Sequence, residues 1–270
     1  MSRPAPAVLT LDFDRSPLAE DGFFGGKLVR PPIFEVPPLS PATRRLARRA
    51  WLERARSEYV GVMIARKLWG LCIDLNTPRD IQELALRMVL DEQRHLSLCI
   101  AAAQALGAEP AVAFELPDLQ QPRSDAPLET QFLEMVTGTY AVGEAVALAL
   151  VTHAVKALPP SGFRDVLRSI AADEVLHGRI GQALLSVIRG GVEWLAWPGD
   201  AAVGAMAGRW RDAMRGRDVV EADEVEAFAD PGAAAQLEAV GIPDPVPFRA
   251  AYLRALDDLP RAFAPLGIRL

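Results

Sequence analysis

Residues 91–95 read Asp-Glu-Gln-Arg-His and residues 173–177 read Asp-Glu-Val-Leu-His. The chain has three histidines, and two of them close the same Asp-Glu-x-x-His pattern. Residues three apart in a helix lie one turn apart on one face. Glu92/His95 and Glu174/His177 therefore each aim a carboxylate and an imidazole at one point, where they can grip a metal ion together. Such ligands suit iron and manganese. Two ordinary surface pairs would also satisfy the spacing, but chance does not readily repeat the preceding Asp as well.

The punctuation of the chain predicts the elements that carry these pairs. Ser40-Pro41 is a helix start, with a capping hydroxyl followed by proline at the first helical position. A helix is expected from Ala42 to about Leu75. A second restarts at Thr77-Pro78-Arg79-Asp80, a capping-box-like pattern, and runs to Gly107. Residues 107–127 carry four prolines and no sustained period, which marks a long connection. A third helix is expected from about Leu128 to Leu158, stopped by Pro159-Pro160, and a fourth from Ser161 to Gly190-Gly191. Short turns make antiparallel neighbours, and one long crossover joins the two hairpins. Shorter helical pieces are expected at 200–216, around 221–240 and at 246–259.

A two-metal site needs a carboxylate from each of the other two helices as well. Glu58 and Glu92 stand nearly equidistant from the turn near Asn76, whereas Glu53 would fall about 10 Å off that level at the helical rise per residue. Glu144 and Glu174 are likewise equidistant from the turn at Pro159-Pro160. Apolar or small residues share their faces, including Ala55, Gly61, Val62, Ala65 and Trp69 around Glu58, and Tyr140, Ala141, Ala147 and Leu148 around Glu144. A glutamate in such company is costly to bury unless paired or metal-bound.

One Glu, then Glu-x-x-His, then a Glu, then Glu-x-x-His, on four helices with a central crossover, resembles the ferritin-like di-iron carboxylate superfamily over residues 41–190. The Asp-Glu-x-Arg-His form at 91–95 is similar to its oxygen-activating members. The resemblance implies an all-α fold: an antiparallel four-helix bundle with one long crossover, to which the sequence adds an N-terminal arm and a C-terminal helical extension. It also implies that Glu58, Glu92, His95, Glu144, Glu174 and His177 ligate two iron ions, with manganese or a mixed pair as alternatives. Glu92 and Glu174 would bridge the ions, and Glu58 and Glu144 would cap one each. Leu176 stands where the first motif has Arg94, so the surroundings of the two motifs differ.

Metal-bound histidines usually donate their other N–H to an acceptor. Asp91 is expected to orient His177, and Asp173 to orient His95, across the two helices. Arg94 would pair with one of these carboxylates or face water. Tyr140 is either a hydrogen-bonding or electron-relaying neighbour of Glu144 or a core tyrosine. His153 is out of phase with Glu144 and reads as a surface or packed residue. Cys99 reads as a buried inert thiol, and Trp194 and Trp197 as anchors of the extension. The basic run Arg44, Arg45, Arg48, Arg49 reads as a solvated face, with docking of an anionic carrier or metabolite as the alternative, and the acidic run 218–230 reads as a solvated face.

Three segments follow: an extended surface arm at 1–40, the bundle with its dinuclear site at 41–192, and a helical extension at 193–270. Half of the 270 residues are hydrophobic, and the net charge is −6 with no strong basic patch. No nucleic-acid partner is suggested. Two cysteines are too few for a disulfide framework. With no signal-peptide core and no run of eighteen apolar residues, a cytoplasmic protein without a membrane span is expected. The expected activity is that of an oxygenase or oxidase using dioxygen and an external electron donor on a small organic substrate. Homodimer formation is open. The alternatives are ferroxidase or iron storage, or peroxide chemistry like that of rubrerythrins and manganese catalases.

Overall fold

The computed structural model describes residues 7–10, 31–109, 111–114 and 124–270. Among these the chain is all-α apart from one ribbon. That ribbon pairs β1 (Ala7–Thr10) antiparallel with β2 (Ala111–Phe114), Ala7 opposite Phe114. Neither strand was expected. Each has four residues, and β2 is embedded in the proline-rich connection, where a period of two has no length in which to show. Most of the expected arm, residues 1–6 and 11–30, lies outside the described residues. Residues 31–40 have no regular secondary structure, and Phe34 packs its ring 4.9 Å from that of Phe163.

Four long helices dominate. α1 (Pro41–Asp74) starts where the Ser40 side chain accepts from Thr43 N at 3.1 Å, a cap worth about 1 kcal/mol. α2 (Arg79–Ala105) follows a short turn at Asn76, whose φ is +49°. Its cap is Pro78 without a side-chain hydrogen bond, so the expected Thr77 capping box does not form. The Thr77 side chain is instead buried. α3 spans Leu128–Ala157. It is α-helical over Leu128–Glu134 and Ala145–Ala157, and π-helical over Met135–Glu144 between them. α4 (Gly162–Arg189) is capped by Ser161, whose side chain accepts from Arg164 N at 3.2 Å. α1 packs along α2, and α4 packs along both parts of α3; α2 and α4 touch as well.

Two apolar cores flank the level of the glutamates. One, toward the Asn76 turn, includes Leu68, Met88, Phe132 and Leu185. The other, toward the opposite end, includes Trp51, Leu96, Phe163 and Ile170. The carboxylates and histidines form a charged layer between them. Trp69 does not join either core; it is 37% exposed.

The C-terminal residues add α5 (Asp200–Arg215), α6 (Ala222–Phe228), α7 (Pro231–Ala239) and α8 (Pro245–Phe263). α8 lies along the second half of α3, and α5 along the π-helical segment. Trp194 packs edge-on against Phe132 at 5.5 Å, and Trp197 donates to Asp200 Oδ1 at 3.0 Å, which ties the start of the extension down. α3 is long and apolar enough to cross a membrane by length and composition alone, with a mean hydropathy of 1.4 over its most apolar window. The sequence reading expected no such segment, because it sought an unbroken apolar run.

Candidate metal centre

His95 and His177 are fully buried, and Glu92 and Glu174 are 5% exposed. The helical spacing of each Glu-x-x-His pair does what it should: His95 Nδ1 lies 4.0 Å from Glu92 Oε2, and His177 Nδ1 lies 3.5 Å from Glu174 Oε1. The two pairs also interlock. His177 Nδ1 is 3.3 Å from Glu92 Oε1, and His95 Nδ1 is 3.6 Å from Glu174 Oε1. Each of these glutamates therefore stands between the two histidines, whose ring centroids are 5.8 Å apart.

Glu58 joins from α1, with Oε2 3.5 Å from His95 Nδ1. One ligand atom each from Glu58, Glu92 and His95 lies within 4.8 Å of the others, and the same holds for Glu92, Glu174 and His177. Glu144 belongs to neither triad. It ends the π-helical segment and faces the charges of Glu174, Glu92 and His177. It is half-buried and lines a cavity.

The π-helical segment was not legible in the sequence. It is wedged between two close contacts. At Gly138 the Trp210 indole of α5 sits where a Cβ would be, and at Gly181 of α4 a Cβ would lie 2.2 Å from Ala141 N. A ladder with hydrogen bonds five residues apart, not four, widens the helix. It also alters the phase between Tyr140 and Glu144 that a regular helix would impose. Tyr140 is 1% exposed, and its hydroxyl has no hydrogen-bond partner. Burial, then the charges of Glu144 and Glu92, push its pKa well up.

The outer nitrogens of the histidines meet the aspartates crosswise. His95 Nε2 is 3.0 Å from Asp173 Oδ2, and His177 Nε2 is 3.5 Å from Asp91 Oδ2. Each aspartate also meets an arginine: Arg94 pairs with Asp173, and Arg87 Nε lies 3.5 Å from Asp91. At His95 the carboxylate on Nε2 favours the tautomer that keeps the proton there and leaves the Nδ1 lone pair facing inward, whereas His177 Nε2 and Asp91 Oδ2 approach without a hydrogen bond.

Electrostatics without a metal are unfavourable. Burial raises the Glu92 carboxyl to about 7, with Glu58 and Glu174 adding to the effect. Burial, then Glu174 and Glu92, hold Glu144 well above the usual carboxylate range. Burial disfavours charge on His177, but the adjoining Glu174 and Glu92 outweigh it and raise its pKa. His95 Nδ1, His177 Nδ1 and Glu174 Oε2 are buried without hydrogen-bond partners. Orphaned polar atoms of this kind are rare in folded proteins and call for a partner. Divalent ions would satisfy them, and the oxygen-and-imidazole donor set fits iron or manganese.

The glutamates line one side of a cavity of about 960 Å³ between α1 and α3. Its walls include Gly61, Ile64, Val146, Leu150 and Ile170, and its outer wall includes Met214, Val219, Ile242, Pro245, Phe248 and Tyr252. The sequence reading assigned no function to the acidic run. In the fold, Asp218, Val219, Val220, Glu221 and Glu224 line the cavity, and Asp223 receives Arg49 in a two-pronged ion pair at 2.6 and 2.7 Å. Arg49 is thus engaged and not merely solvated. Arg54, one turn before Glu58, also lines the cavity; its helical spacing from Glu58 was a usable signal that the sequence reading passed over.

The other residues singled out lie elsewhere. His153 stacks loosely on Phe248 at 6.3 Å and is outside both triads. Cys99 is fully buried, and burial holds its thiol well above the ordinary value.

A scan against protein-family models matches none to this chain, and a search of curated proteins returns no match. Function is therefore read from the site itself.

Proposed function

We propose that this chain is a ferritin-like di-iron oxidoreductase that uses dioxygen to oxidise a small organic substrate. The observation that carries this reading is the buried cluster of Glu92, His95, Glu174 and His177, joined by the half-buried Glu58, with orphaned inward-facing Nδ1 atoms, beside a cavity lined by the glutamates together with Glu144 and large enough for a small molecule. The two helical hairpins joined by a long connection fit a ferritin-like bundle, with residues 41–192 as its body and 193–270 as the wall of the substrate cavity. The reading extends to manganese or a mixed pair of ions, which the same donors accommodate.

In this scheme Glu58, Glu92, Glu144 and Glu174 would hold the ions through their carboxylates, and His95 and His177 through Nδ1. Asp173 holds the His95 tautomer by accepting from Nε2 and pairs with Arg94, while Asp91, beside Arg87, stands 3.5 Å from His177 Nε2. Four carboxylates balance two divalent cations. The apolar walls near Ile64, Val146 and Leu150 exclude water from the oxidising centre. When bound, the iron pair supplies the redox chemistry by which dioxygen, two electrons and two protons convert a substrate C–H to C–OH and water. The electrons come from an external protein or small-molecule reductant in a cytoplasmic setting.

The test is anaerobic loading with iron(II), followed by dioxygen, with and without a panel of candidate substrates. Substrate-dependent oxygen uptake and a product heavier by one oxygen atom are expected. Continued iron(II) oxidation far beyond the number of sites, with mineral accumulation, would instead make the chain a ferroxidase.

A further inference from the structure

The cavity carries information about its occupant that the metal residues do not. Most charged groups around it are accounted for. Glu53 and Arg217 are exposed at the rim, Asp218 lies 3.8 Å from Arg249, Glu221 caps its own helix, and Arg49 is taken by Asp223. Arg54 differs. It lines the cavity one turn before Glu58, about 6 Å along the helix axis. Its Nη1 is buried with no hydrogen-bond partner. Its guanidinium lies 4.7 Å over the Trp51 ring. Trp51 is itself fully buried and donates from Nε1 to Val240 O at 2.8 Å. Stacking on a pinned indole fixes the guanidinium plane while leaving its edge free to donate. An unpaired buried donor costs free energy that a ligand acceptor would recover.

We propose that the cavity binds an organic monocarboxylic acid, with Arg54 receiving the carboxylate and the apolar body lying against Ile64, Val146 and Leu150. This rests on the reading of the cavity as the substrate site. Among the cavity's described arginines Arg54 is the one with a buried, unpartnered guanidinium nitrogen, Arg217 lying at the exposed rim, and one such guanidinium matches a monoanion in two-pronged geometry, whereas a phosphate dianion would call for further buried cations.

The experiment is calorimetric titration of the full chain, iron-loaded and kept anaerobic, with octanoate, octanamide and octylamine, and with iron content measured on the same sample. Octanoate should bind at least about tenfold more tightly than either analogue. Arg54→Gln should weaken octanoate by about tenfold or more while leaving octanamide within about twofold. Arg217→Gln, at the exposed rim, should leave octanoate within about twofold. Octylamine binding as tightly as octanoate, no octanoate binding, unchanged octanoate affinity in Arg54→Gln, or an equal loss in Arg217→Gln would each overturn the proposal. If Arg54→Gln does not fold, the comparison of the three ligands on the native chain still decides. Low iron content would refute the di-iron reading alone, because the same titrations can be run on metal-free protein.

Discussion

Gly61→Ala is a one-carbon change with a calculable consequence. A Cβ at Gly61 would lie 2.3 Å from Glu92 Oε2, 2.7 Å from Cδ and 3.3 Å from Oε1. Ordinary van der Waals contact begins at 3.4 Å, so the Glu92 carboxylate must withdraw by about 1 Å. Metal–ligand distances tolerate only about 0.2 Å. Glu92 belongs to both triads, so its withdrawal affects both ions. Loss of affinity of about 10–100-fold per ion is expected, the range seen when a ligand is misdirected. Replacing a helical glycine by alanine otherwise stabilises by about 0.5–1 kcal/mol. Gly70→Ala is the matched control, because nothing lies within 4 Å of its added Cβ. It should raise stability by that amount and leave metal binding unchanged. Competition against a chelator of known affinity reads the metal, and thermal melting of the metal-free proteins reads the fold. If Gly61→Ala bound two ions with native affinity, the placement of Glu92 at the centre of the site would be wrong.

Further outcomes follow from the same geometry. Glu144→Ala should lower bound metal well below two ions per chain by elemental analysis; full occupancy would remove Glu144 from the site. Asp173→Asn should weaken metal binding about 10–100-fold by releasing His95 and disturbing Arg94, whereas His153→Ala should leave metal content unchanged on chelator titration. The pKa of Glu92 is raised to about 7 and that of His177 to about 11 in the metal-free fold, so both groups bind protons more tightly folded than unfolded. Their contribution to metal-free stability is therefore fully present at low pH. It is lost as pH rises, first between about 4.5 and 7 and then between about 6.5 and 11. Metal must displace these protons, so calorimetry in two buffers of different ionisation enthalpy should reveal proton release, and affinity should climb with pH through neutrality. pH-independent binding would contradict the site's electrostatics.

Much of this arrangement was legible because helix period and turn position are local properties. Two Asp-Glu-x-x-His repeats placed the two carboxylate–imidazole pairs in one buried cluster that could hold a metal ion, and distance from the Asn76 turn picked out Glu58, which joins that cluster, whereas Glu144, picked out from the Pro159-Pro160 turn, lines the cavity but belongs to neither triad. The crosswise approach of Asp173 to His95 and of Asp91 to His177 followed from placing two similar motifs on facing helices. What was not legible depends on contacts between distant segments. The π-helical widening at Met135–Glu144 is set by Trp210 and Gly181, far away in sequence. The four-residue strands have no periodic signal long enough to register. The acidic run at 218–230 looks solvated in isolation, and only its docking through Asp223 on Arg49 turns it toward the cavity. Thr77 had the right neighbours for a cap, yet Pro78 took the cap position and the threonine side chain was buried.

The central claim is that four glutamates and two histidines hold a pair of metal ions. Anomalous diffraction at the iron absorption edge, from crystals of iron-loaded protein, addresses it directly. Two peaks are expected within the layer bounded by Glu58, Glu92, Glu144 and Glu174, one nearer His95 and one nearer His177. A single peak, no peak, or iron held away from the histidine Nδ1 atoms would contradict it.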